Sequence, residues 1–200
     1  CIRDSISYTP QGTSFTVVTP TGERLPFSTR LVGECNVSNL LAAIIVALRM
    51  DVPVEKIRYA VSNIEQVEHR LNMKRTPGGV TIIDDAFNSN PTGSKMALDV
   101  LKMMTGGRRI IVTPGMIELG DRQAELNEKF GAAIADSADI AIVVGAYNRE
   151  AIIAGIESVE PRQAKVYKVN SFAESQQLLA TMLKPGDTIL YENDLPDTFK

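Results

Sequence analysis

A loop rich in acids and amides is the part of this sequence best suited to binding a ligand. Residues 84–91 read Asp-Asp-Ala-Phe-Asn-Ser-Asn-Pro and directly follow the apolar run Val80–Ile83. A carboxylate just past a buried strand can accept hydrogen bonds from a ribose diol or hold a cation. Asp and Asn also stabilise turns and helix starts, and for a lone Asp that interpretation is favoured. Two Asp and two Asn within seven residues favour a functional loop.

Polar segments also follow three other predicted strands. They are residues 113–118 (Thr-Pro-Gly-Met-Ile-Glu), 145–148 (Gly-Ala-Tyr-Asn) and 192–194 (Glu-Asn-Asp). In open parallel α/β sheets, ligands bind beyond the carboxyl ends of the strands. We therefore expect these segments and the acidic loop to form one binding edge.

Several candidates lie outside these loops. The Asn36 amide offers a donor and an acceptor to an adenine edge, although spacing alone favours Asn36 as a helix N-cap and Asn39 as a solvated side chain. A boundary arginine such as Arg70 is usually solvated, but it also suits bidentate phosphate or ribose contact. His69, the single histidine, has no nucleophile motif beside it, so we expect an interdomain hydrogen bond. Cys35 is expected to act as a small apolar residue.

Absent motifs and bulk composition exclude several classes of protein. There is no G-x-x-x-x-G-K-[ST] loop and no G-x-G-x-x-G after a strand, which disfavours an isolated dinucleotide-binding domain. Two cysteines and one histidine exclude a Cys/His zinc site. With 21 basic and 24 acidic residues the net charge is -3, which disfavours a nucleic-acid partner. The longest apolar run is too short to span a bilayer, so no membrane partner and a cytoplasmic location are expected.

Two predicted domains must position these residues, with a boundary near 65–70. Residues 1–66 contain two extended stretches, at 14–19 and 25–31, followed by two helices. The first helix is expected to begin at Asn36, and Pro53 is expected in the first turn of the second.

Residues 67–200 alternate strictly between apolar strands and helices. The five predicted strands are 80–83, 109–113, 140–144, 166–169 and 188–191, and the four helices are 94–104, 122–137, 149–157 and 172–183. Short apolar strands separated by helices are typical of a parallel sheet covered on both faces. The predicted fold class is therefore α/β, with a doubly wound, mostly parallel, Rossmann-like sheet.

Four segments, in order along the chain, resemble elements of Mur ligases and folylpolyglutamate synthetases. Gly33–Ala43 resembles the G-x-H-N-x-x-N-x-x-A-A element, and Glu68–Leu71 resembles the hinge arginine motif between the central and C-terminal domains. Asp84–Pro91 is similar to the D-D-[SA]-[YF]-N-A-N-P loop, and Gly115–Gly120 is similar to the D-M-x-E-L-G stretch. The last two belong to the branch of the family that adds D-alanyl-D-alanine.

This resemblance implies a domain arrangement and a set of ligand contacts. Residues 67–200 would be the C-terminal ligase domain, preceded at 1–66 by the tail of the central ATP-binding domain. Asn36 would contact adenine, Arg70 the nucleotide from across the hinge, and Asp85 the ribose. Substrate contacts are expected at Asn88, Asn90, Met116 and Glu118.

The resemblance also implies an activity. The family makes an acyl phosphate from a carboxylate and ATP, which an amine then attacks. The implied cofactors are ATP and Mg2+, and the implied partners are a UDP-muramoyl-peptide, D-alanyl-D-alanine and upstream domains of the same chain, in a monomer. The phosphate loop, the magnesium-binding acids and the modified lysine are expected upstream of Cys1. No catalytic residue is therefore expected within residues 1–200, which alone should be inactive.

Two departures from the family pattern leave the acceptor open. Cys35 stands where histidine is usual, so any stacking or hydrogen bond from that histidine is lost. Gly115 replaces an aspartate, which leaves Glu118 and Asp121 as possible substitutes. The alternatives are a related ligase with another acceptor, as in folylpolyglutamate or amidating enzymes, and a non-catalytic doubly wound binding module.

Overall fold

The chain forms two compact units, Cys1–Val67 and Glu68–Lys200. The computed structural model describes residues 2–9, 11–161 and 164–194. The division falls one residue after the boundary predicted between residues 66 and 67. Within the described parts of the chain, no helix is long and apolar enough to cross a lipid bilayer.

The first unit is an antiparallel sheet packed against two helices. Its elements are β1 (Ile2–Thr9), β2 (Gly12–Val18), β3 (Arg24–Thr29), α1 (Glu34–Arg49) and α2 (Val54–Ser62), with sheet order β1-β2-β3. The buried core draws on β2, β3 and one face of each helix, and consists of Phe15, Val17, Leu25, Phe27, Val37, Leu40, Ile44, Ile57 and Val61. Strand β1 is an addition to the predicted pair of strands.

Helix α1 begins earlier than predicted, and the expected N-cap role of Asn36 is wrong. Gly33 occupies the cap position with φ of 92°, a left-handed conformation that favours glycine. Asn36 consequently lies inside the first turn, where its Nδ2 donates to the Val32 carbonyl at 2.8 Å. Pro53, expected in the first turn of α2, is instead the cap residue that precedes it.

The second unit is built on a six-stranded sheet. Its strands are β4 (Asn72–Arg75), β5 (Thr81–Asp85), β6 (Arg109–Thr113), β7 (Ile140–Val144), β8 (Lys165–Val169) and β9 (Thr188–Glu192). Its helices are α3 (Pro91–Lys102), α4 (Gln123–Ser137), α5 (Arg149–Glu157) and α6 (Phe172–Met182), with a short 3₁₀ helix at Gly120–Arg122. The strand order is β4-β5-β9-β6-β7-β8, and every neighbouring pair is parallel except β4 with β5.

Helices cover both faces of this sheet. On one face, α6 packs over a core made of Val80, Ile110, Val112, Ile140, Ile142, Val169, Leu179 and Ile189. Successive strand residues point to opposite faces, so the buried Ile111, Ala141 and Leu190 face the other side. There α4 packs against both α3 and α5. The predicted doubly wound, mostly parallel α/β architecture is confirmed.

Candidate functional site

The loops of the predicted binding edge lie together, and hydrogen bonds join them. The backbone N–H of Asn193, just past β9, donates to the Asp85 carbonyl at 3.2 Å. The Asn193 side chain donates to the Gly115 carbonyl at 2.6 Å. Asn148, from the loop after β7, donates to the Pro114 carbonyl at 3.0 Å. The polar segments after four neighbouring parallel strands therefore form one surface.

Asp85 ends β5 and keeps one carboxylate oxygen available. Its Oδ1 accepts a hydrogen bond from the Leu71 N–H at 3.0 Å, and no hydrogen bond from another described residue reaches Oδ2. Burial raises the pKa of Asp85 to about 6, the Leu71 N–H opposes this rise, Asp84 adds to it, and Arg70 lowers it. At neutral pH the carboxylate is mostly ionised and can accept a hydrogen bond from a ligand hydroxyl.

Arg70 lies in a strained turn beside this carboxylate. The flanking residues His69 and Leu71 have φ of 59° and 50°, a region that non-glycine residues seldom occupy. The His69 carbonyl accepts from the Phe87 N–H at 3.2 Å, and the exposed Arg70 guanidinium lies 4.6 Å from the centroid of the Phe87 ring. The turn is thereby attached to the loop after β5. We call residues 69–71 together with residues 84–87 the hinge clasp.

The histidine of the hinge clasp has a partner within its own unit. His69 Nδ1 lies 2.9 Å from Asp84 Oδ2 and 3.1 Å from Oδ1. The partner of Nδ1 lies inside the second unit, and the interdomain hydrogen bond of His69 stays a prediction. This contact occupies the carboxylate of Asp84, which adjoins Asp85.

Asn88 and Asn90 use their side-chain oxygens to shape their own loop. The Asn88 Oδ1 accepts from the Ser89 N–H at 2.9 Å. The Asn90 Oδ1 accepts from the N–H groups of Thr92 and Gly93 at 3.1 and 3.0 Å, which caps α3. Both side chains are exposed, so a substrate contact through their Nδ2 groups stays a prediction.

The loop after β6 is held by amide side chains around Met116. The Met116 carbonyl accepts from Asn127 Nδ2 and Asn148 Nδ2, each at 3.0 Å, and from Gln123 Nε2. The Met116 N–H donates to Asn127 Oδ1 at 2.9 Å. Met116 is 1% exposed, so its side chain packs in the core, and its substrate contact stays a prediction. Glu118, by contrast, is exposed.

The structure explains the glycine that replaces the family aspartate. Gly115 has φ of 82°, and a Cβ added there would lie 2.5 Å from Asn127 Oδ1 and 2.8 Å from Ile152 Cδ1. A side chain at this position would therefore strain the backbone and displace these neighbouring side chains. The remaining carboxylates near the loop, Glu118 and Asp121, are both exposed.

A buried carboxyl group that the sequence did not single out lies at the end of β9. Glu192 is 1% exposed and stands in register with Asp85 on the neighbouring strand. Its Oε1 accepts from the Ser89 hydroxyl and its Oε2 from the Thr113 hydroxyl at 3.2 Å, while Ser89 and Ser94 share a hydrogen bond of 2.6 Å. Burial raises the pKa of Glu192 to about 7, hydrogen bonds from the three hydroxyls lower it, and Asp85 raises it.

A cavity opens on the α6 side of the same edge. Its volume of about 870 Å³ lies in the range of small-molecule sites. Its lining includes Ile82, Val112, Tyr191, Phe172, His69 and Asp84. Asp85 and the four predicted substrate-contact residues are absent from its lining, so the hinge clasp meets the cavity only through His69, Asp84 and Ala86.

A metal centre is not assembled in the described parts of the chain. Within residues 2–9, 11–161 and 164–194, no group of three or more His, Cys, Asp or Glu side chains is placed to hold a metal ion. The carboxylates at the binding edge are arranged differently, with Asp84 beside His69 and Glu192 among hydroxyl groups.

Two family models match this chain, one in each compact unit. The Mur ligase middle domain matches residues 2–47, and the Mur ligase glutamate ligase domain matches residues 69–191. The chain belongs to the Mur ligase family. The second match contains the hinge clasp and three of the four loops of the binding edge, and it ends at residue 191, directly before the fourth. The predicted resemblance is confirmed.

Individual Mur ligases are similar to this chain over nearly its whole length. The UDP-N-acetylmuramoyl-tripeptide–D-alanyl-D-alanine ligase of Bacillus subtilis is 28% identical over 94% of this chain and 40% of its own length. The UDP-N-acetylmuramate–L-alanine ligase of Streptomyces avermitilis is 30% identical over 92% of this chain and 41% of its own. The crystal structure of MurF from Acinetobacter baumannii superposes with a TM-score of 0.81 at 25% identity, over 96% of this chain and 41% of that one. The chain thus spans about two fifths of the length of these relatives.

Proposed function

We propose that this chain is the C-terminal part of an ATP-dependent ligase of peptidoglycan precursor synthesis. The ligase would join D-alanyl-D-alanine to a UDP-muramoyl-peptide. The observation that carries the proposal is the hinge clasp, where the exposed Arg70 guanidinium lies beside Asp85, a carboxylate with an available oxygen. Both residues lie within the region that matches the Mur ligase glutamate ligase domain.

The chemistry of the hinge clasp suits the nucleoside end of ATP. Asp85 Oδ2 can accept a hydrogen bond from a ribose hydroxyl, and the Arg70 guanidinium can donate to ribose or phosphate oxygens. In the first unit, Asn36 uses one Nδ2 hydrogen on the Val32 carbonyl. Its second Nδ2 hydrogen and its Oδ1 can serve an adenine edge as donor and acceptor.

The proposed reaction forms an amide at the cost of one ATP. The substrate carboxylate takes the γ-phosphoryl group, which gives an acyl phosphate and ADP. The amine of the acceptor then attacks the acyl carbon, the C–O bond to phosphate breaks, and phosphate leaves as the amine loses a proton. We assign this chain the binding of adenosine and the presentation of the acceptor, and expect the Mg2+ ligands and the phosphate loop outside the described residues.

The acceptor is proposed to lie against the loops after β5 and β6. Asn88, Asn90 and Glu118 are exposed there and offer amide donors and a carboxylate to a dipeptide. L-Alanine is a second candidate acceptor, because the Streptomyces avermitilis relative that covers most of this chain is named for it. Gly115 stands where the D-alanyl-D-alanine branch has an aspartate, so one carboxylate of that branch is absent at this position. An assay that compares the two acceptors therefore decides between them.

An assay of the natural full-length protein tests the proposal. Phosphate release is measured with ATP and one of two substrate pairs, a UDP-muramoyl-tripeptide with D-alanyl-D-alanine or UDP-N-acetylmuramate with L-alanine. Each carboxylate substrate is also measured without an amine. We expect release with D-alanyl-D-alanine and none without an amine. Release with L-alanine but not with D-alanyl-D-alanine would support the second candidate. If neither amine causes phosphate release, the ligase proposal is overturned. Residues 1–200 alone should not ligate.

Arg70→Ala tests the nucleotide contact in the same assay. Removing hydrogen bonds from a charged group costs about 1.5–3 kcal/mol, so the KM for ATP should rise about tenfold or more. Arg122→Ala is the matched control, because Arg122 is exposed on the 3₁₀ helix and pairs with Glu125 at 3.0 Å. Equal KM values for both variants would remove Arg70 from the nucleotide site.

A further inference from the structure

Phe87 is an exposed aromatic residue in a position that the nucleotide site does not explain. Its side chain is 63% exposed, which leaves most of the ring in contact with solvent. It contacts the turn at residues 69–71, called the hinge turn below, through the backbone hydrogen bond to His69 and through the ring beneath Arg70. The ring is therefore placed by its own backbone against the one arginine of the turn.

The backbone of the hinge turn is fixed independently of the Arg70 side chain. Leu71 donates to Asp85, His69 meets Asp84, and the Phe87 N–H donates to His69. These three contacts hold a turn whose flanking residues both have positive φ. They determine where the Arg70 Cα lies but leave its long side chain with several rotatable bonds.

Among the described residues, the guanidinium of Arg70 has no ion-pair or hydrogen-bond partner. Asp84 is occupied by His69, and Asp85 Oδ1 is occupied by the Leu71 N–H. Stacking on an aromatic face attracts the cation without using its N–H donors, which lie in the guanidinium plane. The ring of Phe87 can therefore hold the guanidinium while all five donors stay available.

We propose that Phe87 is a positioning residue for Arg70, and that its ring presets the guanidinium for a nucleotide. This inference rests on the proposed role of Arg70 in nucleotide binding. It assigns the aromatic residue of the loop after β5 a function that is separate from acceptor binding. Preorganising a flexible cation lowers the ordering cost that the ligand would otherwise meet on binding.

Steady-state kinetics of the natural full-length protein test this role. An exposed cation–π contact is worth about 0.5–1 kcal/mol, so Phe87→Ala should raise the KM for ATP about two- to five-fold and leave kcat unchanged. Phe87→Tyr keeps the ring and should restore the wild-type KM. Tyr59→Ala is the control, because Tyr59 is an equally exposed aromatic residue, at 73%, on α2. Thermal unfolding of Phe87→Ala should match that of the wild type.

A double-mutant cycle separates positioning from direct contact. If Phe87 acts through Arg70, Arg70→Ala/Phe87→Ala should have the KM of Arg70→Ala alone. A further rise in the double variant, by the factor seen for Phe87→Ala, would overturn the proposal in favour of direct ring–nucleotide contact. A raised KM for Arg70→Ala with an unchanged KM for Phe87→Ala would overturn the positioning role alone. Unchanged KM values for both variants would overturn the nucleotide role of Arg70 and the positioning role together.

Discussion

Two carboxyl groups stand side by side at the binding edge and have opposite surroundings. Asp85 and Glu192 are the last residues of β5 and β9, and they are in parallel register. Asp85 is half-buried beside a cation and keeps one oxygen available. Glu192 is buried, and hydroxyl groups of Ser89 and Thr113 occupy both of its oxygens.

The comparison shows that neighbouring loops, and not the strand position, decide what a carboxyl group at this edge does. At Asp85 the turn at residues 69–71 supplies a single N–H donor, and no hydrogen bond from another described residue reaches Oδ2. At Glu192 the start of α3 and the end of β6 close over the side chain. Asp85 is therefore suited to binding, while Glu192 holds the loops of the site together.

The largest expected effect is on the pH dependence of stability in Glu192→Gln. The folded-state pKa of Glu192, about 7, lies above its ordinary 4.5. A raised pKa means that its contribution to stability is complete below about pH 4.5 and is lost as pH rises through about 7. Glutamine does not titrate, so Glu192→Gln does not lose stability in this way as pH rises. The free energy of unfolding of the variant relative to wild type should therefore increase by on the order of 3 kcal/mol between pH 4.5 and 8.

Urea unfolding followed by far-ultraviolet circular dichroism measures this effect, because the chain has no tryptophan. The glutamine keeps the size of the side chain and stays neutral at every pH of the series. A stability difference between variant and wild type that is constant across the series would show that Glu192 does not keep its proton on folding.

The next largest effect is on nucleotide affinity, where Asp85 is expected to matter and Glu192 is not. Asp85→Ala should raise the KM for ATP about tenfold, because a charged acceptor is lost. Glu192→Gln serves as the neighbouring-carboxyl control and should change this KM less than about twofold. Similar KM changes in both variants would contradict the division between a binding and a structural carboxyl group.

The pH dependence of ATP affinity should also report Asp85. The ionised carboxylate accepts hydrogen bonds from the Leu71 N–H and a ribose hydroxyl more strongly than the neutral acid does, and burial raises the pKa of Asp85 to about 6. The affinity of wild type relative to Asp85→Asn should therefore decline as pH falls from 8 to 5. Because the titration of ATP itself cancels in this ratio, a flat ratio would exclude Asp85 as the titrating acceptor.

The smallest expected effect is at Ser89, which stands where the resembling family loop has alanine. Ser89→Ala removes one hydrogen bond to Glu192 and should lower the free energy of unfolding by about 1 kcal/mol. It should also raise the pKa of Glu192 further, since this hydroxyl lowers it. Repeating the pH series on Ser89→Ala checks both changes. Unaltered stability would mean that Ser94 and Thr113 suffice for the buried carboxyl group.

Much of the fold was predictable wherever strands are apolar on both faces. The bounds of β6, β7 and α5 agree with the predicted 109–113, 140–144 and 149–157, because β-branched runs between helical patterns are a strong local signal. Strands β1 and β4 are short of apolar residues and were missed. The place of β9 between β5 and β6 depends on pairing across a hundred residues, which no local pattern records.

The association of the loops at one edge was predictable, but the surroundings of each side chain were only partly so. The rule for carboxyl ends of parallel strands indicated which loops lie together. It did not reveal that Met116 points into the core, since that depends on the distant Asn127 and Asn148. The sequence predicts Glu192 in the polar loop after the last strand. Alternation along β9 instead places its side chain on the same buried face as Leu190.

The strand order has a consequence for how the chain is made. Among the described strands the central β9 is synthesised last, and until it arrives β4–β5 and β6–β8 have no strand between them that joins them. Both halves expose unpaired strand edges during that interval, a state prone to aggregation. A nonsense codon just before Thr188 would therefore yield two half-sheets that share no strand, and we expect quality-control proteases to degrade this product faster than the uninterrupted protein.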